Sequence, residues 1–203
     1  MYQPKSFILE DTALIERLIT ENSFATLVSN GENGLEASHL PFEFDAETQT
    51  LLSHLARANE QWHSFDGREA MAIFSGPHAY ISPSWYETEL AVPTWNYVVV
   101  HVYGVPQIIE DDGQVEALLT RLIDKYESGR TPRWRLEAPA DWQKNMRRAI
   151  VGFEMKVTRL EAKAKLSQNR PPTDIEGVIK GLERENQSEL AQWMHLLNPT
   201  LSS

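Results

Sequence analysis

Three polar strings within apolar segments carry the residue types that bind an anionic, partly aromatic ligand. They occupy residues 51–59, 92–104 and 165–170 of the 203-residue chain. The first string places three hydrogen-bond donors where an extended segment gives way to a helix-like one. At such a junction an anion can meet side-chain donors and backbone N–H groups together. The donors that predict an anion-binding position here are His54, Arg57 and Asn59.

The second and third strings offer an aromatic wall and further donors. In an extended strand Trp95 and Tyr97 share one face and Asn96 points to the other, so all three reach one ligand only if the strand bulges. The ordinary alternative is that the two aromatic residues belong to a core or a subunit interface. The third string offers Lys165, Gln168 and Arg170 as donors to a ligand. The ordinary alternative is a solvated basic strand end before two prolines.

Flavin mononucleotide (FMN) requires both kinds of group. Its dianionic phosphate needs cationic donors, and its flat ring needs a pocket wall. Arg57 can offer a fork of donors to phosphate oxygens, His54 one ring nitrogen, and Asn59 an amide to the phosphate or the ribityl hydroxyls. On pattern alone, a solvated Arg57 and a hydrogen-bonded strand His54 are the more ordinary alternative, because short motifs often match by chance.

In order and wording the strings resemble the PaiB family, FMN-binding split-barrel proteins described as negative transcriptional regulators. The resemblance covers nearly the whole chain, through the segments MYQPKSF (1–7), ASHLPF (37–42) and KLSQNR (165–170). It implies that Ser38 and His39 touch the flavin ring, partly through backbone groups. It also implies that Arg170 approaches the ring, with weaker expectations for Lys165 and Gln168. A positive charge near the N1–C2=O region would stabilise the anionic reduced flavin and raise its reduction potential.

The elements that must position these residues predict an α+β fold. Helices are expected from Asp11 to about Asn22 and over 113–126, 142–150, 174–185 and 188–197. Strands are expected over 24–30 and 34–44, joined by a turn, and over 48–56, 69–76, 79–86, 95–110 and 152–167, with a turn at Gly76–Pro77 and a loop over 129–140. Strands in the middle and helices at the ends favour a closed antiparallel barrel. With the resemblance, the prediction is a Greek-key-like split β-barrel with peripheral and C-terminal helices.

Bulk properties limit the class of protein. The chain has no linker-like segment, which predicts a single domain over 1–203 with a helical extension from about residue 172. It has no cysteine, which excludes disulfides and a cysteine nucleophile, and no recognised metal-ligand spacing, so no metal is expected. No apolar run is long enough to cross a bilayer, and no basic-then-apolar N-terminus occurs. The prediction is a cytoplasmic protein without a membrane partner.

The charge disagrees with direct DNA binding. A formal net charge of −10 opposes contact with a polyanion, because DNA affinity depends heavily on phosphate neutralisation. One local cluster, formed by Arg130, Arg133, Trp134 and Arg135, could contact nucleic acid or a phosphate-bearing ligand. A solvated loop is the more ordinary interpretation. Direct DNA binding is therefore doubtful.

The leading functional hypothesis is an FMN-binding protein resembling the PaiB regulators, acting through flavin or redox occupancy. The resemblance further implies a homodimer, because related folds place FMN at a subunit interface. Two alternatives stay open: a flavin-dependent oxidoreductase like the pyridoxamine-phosphate oxidases, and a haem-handling relative with His39, His54 or His101 as ligands. No catalytic residue can be assigned, and enzymatic activity stays open because hydride chemistry belongs largely to the flavin.

Overall fold

The computed structural model describes residues 1–198, in which seven β-strands and five α-helices occur. The strands are β1 Phe24–Gly31, β2 Gly34–Pro41, β3 Glu43–Asp45, β4 Thr50–Ala56, β5 Ala70–Ile81, β6 Thr94–Ile108 and β7 Ile150–Lys165. The α-helices are α1 Thr12–Glu21, α2 Asp112–Glu127, α3 Ala140–Arg148, α4 Pro172–Arg184 and α5 Ser188–Leu197. Short 3-10 helices occupy Lys5–Phe7, Glu60–Ser64 and Pro83–Trp85.

The strands form one sheet in the order β2-β1-β5-β6-β7-β4-β3. The ladders of β1 with β2 and β5, and of β4 with β3 and β7, are antiparallel. One antiparallel sheet, with α1 before it, α2 and α3 between β6 and β7, and α4 and α5 after it, confirms the predicted α+β antiparallel class. Among residues 1–198, no helix combines the length and apolar character needed to cross a membrane.

The chain forms two compact units, each with many contacts within itself. Among the described residues, unit 1 comprises 1–18, 75–100 and 161–198, and unit 2 comprises 19–74 and 101–160. Strands β5, β6 and β7 each contribute residues to both units. The expectation of one domain over 1–203 with a C-terminal extension stays a prediction.

Helix starts follow the sequence signals closely. The Asp11 side chain accepts a hydrogen bond from the Leu14 N–H at 3.1 Å, and the Asp111 side chain accepts one from the Gln114 N–H at 2.8 Å. Each aspartate satisfies a backbone donor that the first helical turn leaves without a partner. The two helices therefore begin where the sequence predicts.

Two strand predictions are wrong. Strand β5 continues through Gly76–Pro77, where a turn between two strands is predicted. A Cβ at Gly76 would lie 2.5 Å from Leu18 Cδ1, so this glycine admits a close side-chain approach and does not turn the chain. The predicted strand 34–44 also breaks at the buried Phe42, because β2 pairs with β1 whereas β3 pairs with β4.

Each unit has its own apolar core. In unit 2 the rings of Phe74 and Phe153 meet Phe42 at centroid distances of 5.6 and 6.1 Å, edge to face. The inner face of α2 adds a second cluster of Ile109, Val115, Leu118 and Leu122. In unit 1 the core includes Leu166, Val178, Leu182, Trp193 and Met194. Burial of these side chains supplies the main favourable term that holds each unit together.

Candidate functional site

The third string forms a tight turn at the end of β7. Ser167 takes a left-handed backbone conformation with φ 65°, and the Arg170 N–H donates to the Ser167 carbonyl at 2.9 Å. The Gln168 amide accepts from the Leu166 N–H at 2.7 Å and donates to the Ala164 carbonyl at 2.6 Å. Gln168 is therefore occupied in shaping the turn, after which Pro171 and α4 begin.

This turn forms one wall of a cavity of about 180 Å³ in unit 1. The lining residues come from the N-terminal segment, the loop before β6, β6 itself and the turn: Phe7, Tyr86, Val92, Thr94, Asn96, Lys165, Ser167, Asn169 and Arg170. Three of the predicted site residues, Asn96, Lys165 and Arg170, thus share one cavity. Trp95, Tyr97 and Gln168 are not among its lining residues.

Two cations border this cavity. The Lys165 ammonium donates to the Thr94 hydroxyl and, at 2.7 Å, to the Trp95 carbonyl. Burial, reinforced by the charges of Lys163 and Arg170, lowers the pKa of Lys165. The Arg170 guanidinium lies 4.5 Å from the centre of the Tyr86 ring. An ammonium has three donors, so Lys165 keeps one hydrogen for a ligand.

The second string behaves as strand alternation predicts. Asn96 is fully buried, and its amide donates to the Ser167 hydroxyl at 3.0 Å. Trp95, on the other face, is 48% exposed and forms ring contacts with His78 at 5.9 Å and with Tyr80 at 6.2 Å. Aromatic wall and amide donor therefore lie on opposite faces of β6.

Tyr86 is a residue that the sequence interpretation missed. It lines the cavity, and its buried hydroxyl has no hydrogen-bond partner of good geometry among residues 1–198, with the Ser167 and Arg170 side chains near it. Burial raises the pKa of Tyr86, against the opposing attraction of Arg170. A buried hydroxyl normally has a partner, because leaving it unpaired costs free energy. Tyr86 lies in an irregular loop, so no periodicity could have identified it.

A second missed residue, Asp174, anchors that loop to α4. Its fully buried carboxylate accepts hydrogen bonds from the Glu87 N–H at 2.9 Å, the Thr88 N–H at 3.1 Å and the Thr88 hydroxyl at 2.8 Å. Burial alone would raise the pKa of Asp174, but the bonds from Thr88 and Glu87, with the charge of Arg170, hold it below its ordinary value. Asp174 therefore positions the loop that carries Tyr86.

The first string and ASHLPF lie in unit 2. Asn59 caps the 3-10 helix by accepting from the Gln61 N–H at 3.1 Å, and its amide donates to the Ser38 hydroxyl at 2.8 Å. His39 points to the other face of β2 and contacts the Thr26 hydroxyl through Nδ1 at 3.0 Å. Ser38 and Asn59 are therefore brought together, and His39 is not.

Arg57 is largely occupied by backbone carbonyls. Its Nε donates to the Arg148 carbonyl and its Nη2 to the Ile150 carbonyl, both at 2.8 Å. Among residues 1–198, no hydrogen bond of its Nη1 is recorded, so that nitrogen is free for a ligand. Burial lowers the pKa of His54. Its Nδ1 atom is buried and has no hydrogen-bond partner among residues 1–198. The roles of both residues stay predictions.

Comparison with known proteins identifies relatives of the chain. The model of the family described as "Putative FMN-binding domain" matches residues 1–159. The chain is similar to the "Protease synthase and sporulation protein PAI 2" of Bacillus subtilis (strain 168). The two are 38% identical over 211 residues, which cover 99% of this chain and 98% of that protein.

Solved structures share the fold at low sequence identity. The FAD and heme binding protein from Mycobacterium smegmatis superposes with a TM-score of 0.63 and 14% identity, covering 83% of this chain and 78% of that one. The flavocytochrome Anf3 from Azotobacter vinelandii gives a TM-score of 0.61 and 12% identity, covering 77% and 68%. These likenesses concern the fold and confirm the predicted split-barrel class. The family match and the Bacillus relative show that the chain belongs to the family of FMN-binding domains that its strings resemble, the PaiB family.

Proposed function

We propose that the unit 1 cavity receives part of an FMN molecule and that flavin occupancy or redox state is the signal this protein reads. One observation carries the proposal: among residues 1–198 the buried Tyr86 hydroxyl has no hydrogen-bond partner of good geometry, and it lines the same cavity as Lys165 and Arg170. A ligand oxygen would satisfy the hydroxyl and both cations at once. Phe7 and Val92 supply the apolar wall that a flavin ring requires.

The residues present fit the chemistry of the cofactor. Bound flavin supplies the electron-accepting ring, and the chain supplies its electrostatic surroundings. Lys165 and Arg170 favour a negative charge beside them, and Asp174, 3.9 Å from Arg170, already offsets part of the arginine charge. The site therefore stabilises an anionic, reduced ring more than an oxidised one. Asn96 holds Ser167 and thereby the cavity wall.

We propose a separate role for the unit 2 residues. In unit 2, Arg57 offers Nη1, and Ser38 and Asn59 offer a joined hydroxyl and amide. The donor types of Arg57 and Asn59 suit the phosphate and ribityl end of FMN, and the PaiB resemblance implies that Ser38 touches its ring. We further propose that Arg57 and Arg170 serve one FMN from different subunits of a homodimer. The exposed aromatic side chains Tyr80 and Trp95 in unit 1 support a second subunit, because exposed apolar surface marks interfaces.

We propose that regulation in the cytoplasm runs through FMN and a further small-molecule or protein partner. The PaiB resemblance implies negative transcriptional regulation, and the name of the Bacillus relative refers to protease synthesis and sporulation. Direct DNA contact is disfavoured by the charge of −10. Ion pairs also occupy two of the three arginines of the basic cluster, Arg130–Glu127 and Arg133–Asp124, and Arg147 outside it pairs with Asp112.

Replacing either arginine should weaken FMN binding. Arg57→Ala and Arg170→Ala are each expected to cost about 1.5–3 kcal/mol of FMN binding free energy, the range for losing a hydrogen bond to a charged group. Titration calorimetry with FMN measures both, and Arg68→Ala is the matched control, since Arg68 pairs with Asp66 at the surface of unit 2. Unchanged affinity in either variant would remove that arginine from the site.

Mixing the two variants tests the proposed arrangement across subunits. A heterodimer of one Arg57→Ala and one Arg170→Ala subunit has, by two-fold symmetry, one intact and one doubly altered site. Recovery of about one tight FMN site per heterodimer supports shared sites. If no tight site returns, the two arginines do not serve FMN from different subunits.

A further inference from the structure

A second cavity, of about 420 Å³, lies on the outer face of α2 and is formed by residues of unit 2 alone. The loop 129–139 and helix α3 cover this face of α2. The walls come from all three segments: Glu116, Leu119, Thr120, Ile123, Asp124, Arg133, Trp134, Arg135, Leu136, Trp142, Gln143, Met146 and Arg147. The cluster of arginines and tryptophan recognised in the sequence is thus part of a formed cavity.

Polar contacts fix the edges of this cavity. Arg133 pairs with Asp124 and holds the loop to α2. Arg147 makes two hydrogen bonds to Asp112, at 2.9 and 3.0 Å, and holds α3 to α2. The Gln143 amide donates to the Ala138 carbonyl at 2.7 Å and joins α3 to the loop. The cavity is therefore pre-formed, and a ligand would not have to order these segments.

Part of the cavity lining is apolar and half-exposed. Trp134 is 52% exposed, Trp142 48% and Met146 47%, and α3 buries no side chain. Two half-exposed indoles and a thioether around one cavity form a surface suited to a flat aromatic ring, by stacking and by sulfur–aromatic contact. Its volume lies in the range of small-molecule pockets, about 300–1,000 Å³.

One uncompensated cation gives the cavity its electrostatic preference. Arg133 and Arg147 are neutralised by Asp124 and by Asp112 with Glu116. Among residues 1–198, no ion pair or side-chain hydrogen bond of Arg135 is recorded. Its guanidinium can therefore form a bidentate pair of hydrogen bonds with a carboxylate. A single free arginine matches one negative charge, not a polyanion.

We propose that this cavity binds a planar aromatic molecule carrying one carboxylate, with the ring between Trp134 and Trp142 and the carboxylate on Arg135. This second site is independent of FMN. The proposal rests on three observations together: the polar contacts that hold the cavity walls, the half-exposed indoles, and the guanidinium of Arg135. Such a ligand would be a candidate for the further partner of a flavin-dependent regulator.

Titration calorimetry with 2-naphthoate tests the site, and its uncharged analogue 2-naphthamide is the ligand control. The full chain is titrated with and without saturating FMN. We expect one naphthoate per subunit, bound equally well in both conditions. The affinity for the amide should be lower by about tenfold or more, because the amide lacks the charge that strengthens a hydrogen bond. Arg135→Gln should abolish this preference for the acid. Met146→Trp should fill the cavity and weaken binding of both compounds.

Arg130→Gln is the matched protein control, because Arg130 lies in the same basic loop but does not line the cavity. It should leave naphthoate binding unchanged. The proposal is wrong if naphthoate competes with FMN, if it fails to bind at millimolar concentration, or if Arg135→Gln and Arg130→Gln behave alike. A change of oligomeric state in Trp142→Ala, together with no naphthoate binding, would instead assign this face to a second copy of the chain.

Discussion

Gly177→Ala should lower the free energy of unfolding, although glycine-to-alanine changes inside helices usually raise it by about 0.5–1 kcal/mol. A Cβ at Gly177 would lie 2.0 Å from the Trp85 carbonyl oxygen, and one at Gly181 would lie 2.3 Å from the Trp85 ring. Both glycines of α4 therefore make room for Trp85. Overpacking of this kind costs about 1–3 kcal/mol. Chemical denaturation of variant and wild type measures the difference.

Gly129→Ala is the control for the Gly177 change. A Cβ at Gly129 would have no neighbour within 4 Å, so its effect should stay within about 0.5 kcal/mol, as for most surface changes. Because Trp85 precedes Tyr86, the Gly177 variant should also weaken FMN binding, and Gly129→Ala should not. A Gly177→Ala protein more stable than wild type would show that α4 does not pack on Trp85 in this way.

Asp174→Ala should destabilise the protein by about 3 kcal/mol, the upper end for losing hydrogen bonds to a charged group. It leaves the donors of Glu87 and Thr88 without an acceptor in a buried position. Urea denaturation at neutral pH measures the loss. Thr120→Ala is a suitable control, since its exposed hydroxyl donates to the Glu116 carbonyl within its own helix.

The stabilisation by Asp174 should also depend on pH. Its pKa in the folded chain lies below the ordinary value of 3.8. The unfolded chain therefore binds the proton more readily than the folded one, so the contribution is fully present above the unfolded pKa. It is lost as the pH falls through the folded value. The stability difference between wild type and Asp174→Asn should shrink below about pH 4, and a difference that stayed constant down to pH 2 would contradict the assignment.

Much of the fold could be predicted from local patterns. Asp11 and Asp111 begin helices because their side chains cap backbone donors, and the alternation around Asn96 follows from strand geometry. The turn predicted at Gly76–Pro77 was wrong because glycine is used there for close packing against Leu18. That contact is tertiary, and a local pattern carries no signal of it.

The candidate site was only partly predictable for a similar reason. Lys165 and Arg170 could be chosen because cations suit an anionic ligand, and they line a common cavity. Gln168, of the same string, instead bonds to the backbone of its own turn. Tyr86 and Asp174 could not be chosen, because their importance arises from a loop that folds against α4. Sequence indicates the residue types, and tertiary contacts decide which of them reach a ligand.

The most direct test of the central claim is a spectroscopic titration of the purified full chain with FMN. The predicted result is binding of one FMN per subunit, with quenched flavin fluorescence. In the Tyr86→Phe variant this quenching should be lost. The Tyr86→Phe variant removes the buried hydroxyl and keeps the ring, so it isolates the observation on which the proposal rests. Failure to bind FMN at millimolar concentration, combined with a strong Soret band on adding haemin, would contradict the account and favour a haem-handling protein.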